Sequence, residues 1–161
     1  MKKCISVVIP YFNASNFILK ALNSVANQTL KPEELILIDD GSSDDVKSLL
    51  RDLKYPFDLR LLRNETNRGR SFSRNLGVKE ARCPFVAFLD ADDMYDKHHL
   101  EVLSSVEADL VYDIVRTFID EEDNILRVSK KTYKDKSSMI LGGLVGYPSS
   151  MMVKKETFLY F

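Results

Sequence analysis

Short runs of β-branched and apolar residues alternate with helix-like stretches along most of the chain, and this alternation limits the choice of fold more than any other feature. The stretches between the runs repeat apolar residues at i, i+3, i+4 and i+7, the spacing of one helix face. The repeated order of strand and helix predicts an α/β fold, in which helices cover both faces of a mostly parallel central sheet. The predicted strands are Ile5–Ile9, Leu35–Asp39, Leu59–Leu62 and Phe85–Leu89.

The predicted helices follow these strands in turn. We expect Ser15 or Asn16 to cap the first helix and Asp44 to cap the second, and we place the third helix at Ser71–Ala81. The apolar stripes are Ile18, Ala21, Leu22 and Val25; Val46, Leu49, Leu50 and Leu53; Phe72 and Leu76; and Leu100, Leu103 and Val106.

After the last of these helices the pattern changes to two β-rich runs. Asp109–Phe118 and Ile125–Tyr133 are separated by the charged segment Glu121–Asn124, which predicts an added β-hairpin. The 161 residues, 45% of them hydrophobic, suit one globular core, so residues 1–161 are predicted to form a single domain.

Charge and cysteine content narrow the classes of function. With 23 basic and 24 acidic residues the net charge is -1, so no overall field attracts nucleic acid. The longest apolar stretches, Cys4–Pro10 and Met139–Tyr147, are shorter than the roughly 20 residues of a transmembrane helix. Cys4 and Cys83 lie far apart without metal-type spacing, which predicts two buried free thiols in a reducing compartment. We therefore expect a cytoplasmic protein without a transmembrane segment.

The polar loops after the strands are where chemistry is expected. Ligands of an open parallel sheet bind outside the carboxyl ends of its strands, because the loops that follow converge there. Four consecutive loops of this kind are polar: Pro10–Asn13, Asp39–Asp45, Arg63–Arg70 and Asp90–Asp93.

The last two loops have opposite charge. Asp90, Asp92 and Asp93 are hard oxygen ligands close together, and such ligands suit Mg²⁺ or Mn²⁺. A cationic set before them can face an anion, since the guanidinium fork matches phosphate oxygens. An acidic metal seat beside a cationic loop predicts a diphosphate bridged by a cation. The cationic set is Arg63, Arg68, Arg70 and Arg74.

Several motifs in order along the chain resemble one enzyme family. They run from about residue 5 to residue 103: Ser6–Asn13, Leu22–Thr29, Ile38–Asp44, Asn67–Gly69, Ser73–Asn75 and Phe88–Asp93. Together they are similar to the inverting nucleotide-sugar glycosyltransferases that build bacterial surface polysaccharides. The resemblance implies the three-layer α/β/α GT-A fold, which is Rossmann-like.

The resemblance also implies a reaction and roles for single residues. The expected donor is a UDP-sugar that gives a hexose or N-acetylhexosamine to a saccharide or lipid-linked saccharide acceptor with inversion. Asp92 is the leading ligand of Mn²⁺ or Mg²⁺ in the Asp-X-Asp-type motif, and Asp93 is an alternative. The residues implied in nucleotide binding are Pro10, Tyr11, Asn13, Asp40, Asn67, Arg70 and Asp90.

The catalytic base of this family lies downstream of the metal motif, so we expect it beyond Phe161. The chain is then the N-terminal, donor-binding part of a longer enzyme, whose remainder could associate with the inner face of the cell membrane. A donor-binding module without catalysis of its own is the main alternative.

Two other classes share parts of the pattern. A haloacid-dehalogenase-type phosphatase also places Asp-X-Asp after an apolar strand, but Gly-Thr should follow where Asp93-Met94 stands. A phospho-receiver domain has its acidic pair after the first strand, whereas Asp39-Asp40 follows the second. The loop Asp39–Ser43 would also suit a plain turn and helix cap.

Overall fold

The computed structural model describes residues 3–112, 115–119, 125–130 and 148–160. The strands are β1 Ile5–Tyr11, β2 Glu34–Asp39, β3 Asp58–Arg63, β4 Phe85–Phe88, β5 Leu110–Tyr112, β6 Val115–Ile119, β7 Ile125–Lys130 and β8 Met151–Lys154. The α-helices are α1 Ile18–Ala26, α2 Val46–Leu50, α3 Arg70–Glu80, α4 His99–Ser104 and α5 Lys155–Tyr160, and a 3₁₀ turn spans Pro148–Ser150.

The main sheet has the strand order β3-β2-β1-β4-β8-β5. Strands β3, β2, β1 and β4 are parallel, whereas β8 runs antiparallel to both β4 and β5. Strands β6 and β7 form a separate antiparallel pair. The predicted α/β fold with a mostly parallel sheet and an added hairpin is confirmed. A single strand over Asp109–Phe118 is wrong, because its first part pairs with β8 and its last part with β7.

Helices cover both faces of the sheet, as predicted. Along β1, Val7 and Ile9 point into a core shared with α1, α2 and α4, while Val8 points into a second core with α3 and α5. All seven residues of β1 are buried, as expected for a central parallel strand that is covered on both sides.

The predicted helix caps are wrong by a residue or more. Helix α1 begins after Phe17 without a side-chain cap, and the N–H of Ser15 donates instead to Asp44 Oδ2 at 3.2 Å. Asp45, not Asp44, caps α2 by accepting the Ser48 N–H at 3.0 Å. Asp44 lies one residue before the cap position, and its Oδ2 accepts the hydroxyl of Tyr11 instead.

Helix α3 packs on β1 through smaller residues than the stripe predicted. Its buried residues are Ser73, Gly77 and Val78, whereas Phe72 and Leu76 are only partly buried. A Cβ on Gly77 would lie 2.3 Å from Val8 Cγ1, so the helix approaches the sheet too closely for any side chain there.

Two of the predicted stripes also extend past the helices they describe. Leu53 and Val106 lie beyond the ends of α2 and α4 and are 40% and 45% exposed.

The prediction of free thiols is wrong, since Cys4 and Cys83 form a disulfide. Cys4 precedes β1 and Cys83 precedes β4, and the parallel register that pairs Ile5 with Phe85 brings the two cysteines together. Because the two cysteines are 79 residues apart in sequence, no local pattern predicted this contact. The cysteines therefore no longer support a reducing compartment.

None of the helices in the described residues has both the length and the apolar character needed to cross a membrane.

Candidate functional site

The direction of chain winding reverses at the junction of β1 and β4. From β1 the chain moves outward to β2 and β3, and α3 then returns it to the other side of β1. In an open α/β sheet such a switch point leaves a crevice at the carboxyl ends of the strands. A cavity of about 490 Å³ lies there, and loops after all four parallel strands line it.

The structure brings the predicted nucleotide-binding residues to this one cavity. Asp92 also lines it, whereas Asp93 is not among its lining residues. The predicted residues at the cavity are Pro10 and Tyr11 at the end of β1, Asn13 after β1, Asp40 after β2, Asn67 and Arg70 after β3, and Asp90 after β4.

The loop after β1 is tied to the loop after β2. Asn13 has a φ of 49°, and its N–H donates to Ser42 Oγ at 3.0 Å while its Oδ1 accepts the Ser43 N–H at 2.8 Å. The hydroxyl of Tyr11 donates to Asp44 Oδ2 at 2.5 Å. Burial and the neighbouring Asp44 raise the pKa of Tyr11, so its hydroxyl stays protonated and keeps this bond.

Asp40 anchors the loop that leads into α3. Its carboxylate is 3% exposed and accepts the Asn64 amide at 2.7 Å and the N–H groups of Arg68 and Gly69 at 3.0 and 2.8 Å. Burial alone would raise the pKa of Asp40, but these donors outweigh it and hold the pKa below its usual range. A charged Asp40 therefore fixes the start of α3 beside the cavity.

Gly41 allows the loops after β2 and β3 to meet. Its φ is +74°, and a Cβ would lie 2.7 Å from the carbonyl carbon of Thr66. The backbone contact between these loops therefore requires glycine at this position, both for its conformation and for its lack of a side chain.

The four arginines predicted to face an anion have different surroundings. Arg63 pairs with the buried Asp39 at 2.5 Å, and Arg74 pairs with Asp90. The guanidinium of Arg68 lies 3.6 Å from the ring centre of Phe72. Arg70 is the member of the set that lines the cavity, so it is the arginine placed to meet an anionic ligand there.

The three carboxylates of the acidic turn have different surroundings. Asp90 is held by Arg74, and Asp93 accepts the hydroxyl of Ser149 at 2.5 Å, while the exposed Asp92 lines the cavity. Within the described residues, no group of three or more acidic, histidine or cysteine side chains is arranged to hold a metal ion. One carboxylate is nevertheless sufficient where substrate phosphates supply further oxygen ligands to Mg²⁺.

Sequence reasoning missed two features of the site. Phe12 and Phe17 line the cavity and are 46% and 50% exposed. Ser149 contacts the acidic turn from a position 56 residues after Asp93. Phe12 lies within the predicted loop Pro10–Asn13 and Phe17 lies four residues after it, so both could have been found from their position. Ser149 carries no motif that points to the turn.

Comparison with known sequences gives one family. The sequence model of glycosyl transferase family 2 matches residues 6–158. An uncharacterised glycosyltransferase of Rickettsia felis is 40% identical over 98 residues, which are 61% of this chain and 16% of that protein.

Two further relatives have more specific names. The Staphylococcus aureus poly(ribitol-phosphate) β-N-acetylglucosaminyltransferase TarP is 40% identical over 106 residues, or 64% of this chain and 32% of TarP. The Bacillus subtilis minor teichoic acid biosynthesis protein GgaA is 36% identical over 103 residues, or 60% of this chain and 23% of GgaA. The chain thus spans less than a third of the length of each of these relatives.

Solved structures show the same fold. Crystallised S. aureus TarS 1-349 matches with a TM-score of 0.76 and 24% identity over 94% of this chain and 47% of TarS 1-349. Its complex with UDP-GlcNAc matches with a TM-score of 0.71 and 23% identity, over 94% of this chain and 45% of that one. At this identity the likeness establishes the GT-A fold.

Proposed function

Because the chain belongs to glycosyl transferase family 2, we propose that it binds a UDP-sugar and serves the transfer of a hexose or N-acetylhexosamine with inversion. The acceptor is a saccharide or lipid-linked saccharide of the bacterial cell surface, and the donor is taken from the cytoplasm. The names of TarP and GgaA support a cell-wall glycan, and the UDP-GlcNAc complex of TarS supports a UDP-sugar donor.

The observation that carries this proposal is that the predicted nucleotide-binding residues share the cavity at the β1/β4 junction. Its volume of about 490 Å³ is within the range of small-molecule sites, roughly 300 to 1,000 Å³. Residues from all four strand-to-helix loops contribute to it, so base, ribose and diphosphate can each meet a different loop. If the loop Asp39–Ser43 served only as a turn and helix cap, it would not need to share a cavity with the other three loops.

The charges around the cavity suit a diphosphate. Arg70 is the first residue of α3, an 11-residue helix, and the N–H groups at a helix N-terminus favour anions. Asp92 approaches from the loop after β4. Arg70 and the helix terminus would meet phosphate oxygens directly, while the carboxylate needs a cation between itself and the phosphates.

Asp92 fits the role of ligand to Mn²⁺ or Mg²⁺, with Asp93 as the alternative. The exposed carboxylate of Asp92 is a hard oxygen donor that lines the cavity, whereas Asp93 is bound to Ser149. A bound divalent cation would supply neutralisation of the charge that develops on the leaving UDP.

Donor binding is the part of the reaction that these residues serve. Deprotonation of the acceptor hydroxyl needs a base within hydrogen-bond reach of it, and none of the cavity residues named here is assigned that role. A donor-binding module without catalysis of its own is therefore the second candidate, because every predicted residue at the cavity is assigned to binding of the donor.

A nucleotide panel tests the donor class. We expect UDP to bind in the presence of Mn²⁺ more tightly than ADP, GDP or inorganic diphosphate, measured by calorimetry. Equal binding of all the nucleotides would contradict a uridine-specific donor site.

Stereochemistry tests the reaction. The anomeric configuration of the product, read by NMR from the full-length parent supplied with UDP-GlcNAc and UDP-glucose, is expected to be inverted. A retained configuration would contradict the mechanism, and absence of any transfer would favour the donor-binding module.

A further inference from the structure

The acidic turn after β4, Asp90–Asp93, is hydrogen-bonded to Ser149, a residue distant in sequence. Within the turn, the Asp93 N–H donates to the Asp90 carbonyl oxygen at 3.1 Å. The hydroxyl of Ser149 adds two bonds across the same turn: it accepts the Asp90 N–H at 2.9 Å and donates to Asp93 Oδ2 at 2.5 Å. Ser149 therefore bridges the first and last residues of the turn.

Only a side chain that is both donor and acceptor can make this bridge. A hydroxyl has one proton to donate to a carboxylate and lone pairs to accept an N–H. Alanine or valine at this position would leave the Asp90 N–H and the Asp93 carboxylate without their shared partner.

The bridge and an ion pair fix the turn on both sides of Asp92. Ser149 holds Asp93, and Arg74 on α3 holds Asp90 from the other side. Asp92 lies between these two fixed residues, and its carboxylate lines the cavity.

The position of Ser149 depends on the antiparallel half of the sheet. It lies in the 3₁₀ turn that leads directly into β8, and β8 pairs with β4 through Ala87 and Met152. The strand that ends in the acidic turn and the strand that begins after Ser149 are thus neighbours in the sheet.

We propose that Ser149 is a positioning residue for the donor: by bridging Asp90 and Asp93 it fixes the turn that presents Asp92 to the cation and diphosphate. This inference rests on the proposed function. It extends that function to a residue outside the recognised motifs, whose effect on the donor passes through the turn.

The test compares the affinity for UDP with and without the cation. The dissociation constant of UDP is measured by calorimetry in Mn²⁺ and in EDTA. The value in EDTA divided by the value in Mn²⁺ reports the contribution of the cation to binding. A merely structural role would reduce the folded fraction but would leave this ratio unchanged.

Ser149→Thr and Ser149→Val are the matched pair, since they have similar shape and differ in the hydroxyl. We expect Ser149→Val to reduce the ratio by about tenfold, the size of one lost hydrogen bond to a charged group, and Ser149→Thr to retain most of it. Ser104→Ala is the control, because its hydroxyl bonds only the Glu101 carbonyl of its own helix among the described contacts.

The outcomes separate this inference from the function on which it rests. A wild-type ratio in Ser149→Val, with wild-type thermal unfolding, would overturn the positioning role while leaving the donor site intact. Equal losses in the Thr and Val variants would also overturn it, since the hydroxyl would then be irrelevant. Absence of cation-dependent binding in the wild type would overturn the proposed function, and the role of Ser149 with it.

Discussion

Asp40 and Asp90 both line the cavity, yet each is held by donors of the protein itself. Asp40 accepts backbone N–H groups that precede α3, and Asp90 accepts a guanidinium from within α3. These contacts stabilise the loops that line the cavity, because a buried or half-buried carboxylate without a partner is costly. In the proposed donor site, each of these two side chains would have both a structural and a binding role.

Arg74 is a residue at which the structural part of this role can be measured. We expect Arg74→Ala to lower the free energy of unfolding by about 1 to 3 kcal/mol, because Asp90 would lose its counter-charge at a partly buried position. Urea unfolding measures this effect, with Arg74→Lys as the control that keeps the charge. An Arg74→Ala variant as stable as the wild type would show that the pair does not stabilise the fold.

Glu34 gives a prediction of pH dependence. Burial would raise the pKa of Glu34, but bonds from the Arg82 N–H, Ser6 and Arg60 outweigh it and lower the pKa from 4.5 to about 2. The folded pKa is depressed, so the stabilisation is complete above the unfolded pKa and is lost as the pH falls from 4.5 towards 2. Its full size is about 3 kcal/mol.

Urea unfolding at pH 6 and pH 3 tests this sign. Between these values the wild type should lose about 2 kcal/mol more than Glu34→Gln, since glutamine does not titrate. The exposed neighbour Glu33 offers the control, and Glu33→Gln should behave as the wild type. Identical pH profiles for wild type and Glu34→Gln would contradict the lowered pKa.

Much of the site could be predicted at this scale, and the exceptions have a common cause. The cavity residues follow predicted parallel strands, whose carboxyl ends meet at one edge, so their convergence needs no tertiary information. The partners of Asp90 and Asp93 could not be predicted, because Arg74 and Ser149 reach them only through the packing of α3 and the insertion of β8.

Among the elements, the contact between α3 and β1 determines how closely the helix packs on the sheet in the core that contains Val8. Gly77 permits this contact because a Cβ there would overlap Val8. In an exposed helix alanine would stabilise by about 1 kcal/mol relative to glycine, so the effect of packing has the opposite sign to that of propensity.

We expect Gly77→Ala to lower the free energy of unfolding by about 1 to 3 kcal/mol through overpacking against Val8. Urea unfolding is the measurement, and Lys79→Ala on the exposed side of the same helix is the control, with an expected change near zero. A stabilised Gly77→Ala variant would mean that α3 is not packed this closely.

The periodic elements could be predicted and their irregular ends could not. Strands β1 to β4 and helices α1 to α4 follow from apolar spacing. The stripe of α3 was wrong because its closest contact is made by a glycine, which has no hydropathy signal. Strands β5 and β8 pair across about forty residues of sequence, and no local pattern indicates such a partner.

At the scale of the whole molecule, the Cys4–Cys83 disulfide closes a long loop that contains most of the parallel sheet. The chain-entropy model gives about 4 kcal/mol for a loop of this length. We therefore expect reductant to lower the free energy of unfolding by about that amount, measured by urea unfolding. Cys4→Ser with Cys83→Ser is the control and should not respond to reductant.

Thiol titration under denaturing conditions tests directly whether the disulfide is present. Two reactive thiols before reduction would show that the cysteines are free and would restore the sequence-based prediction.

We propose that the β1/β4 cavity binds the UDP part of a sugar donor through a cation held by Asp92. Calorimetric titration of the chain with UDP, in Mn²⁺ and in EDTA, tests it most directly when repeated with Asp92→Ala and with the exposed control Asp52→Ala. We expect cation-dependent binding in the wild type and in Asp52→Ala, and its loss in Asp92→Ala. Undiminished binding by Asp92→Ala, or no binding of UDP by a folded wild-type chain, would contradict it.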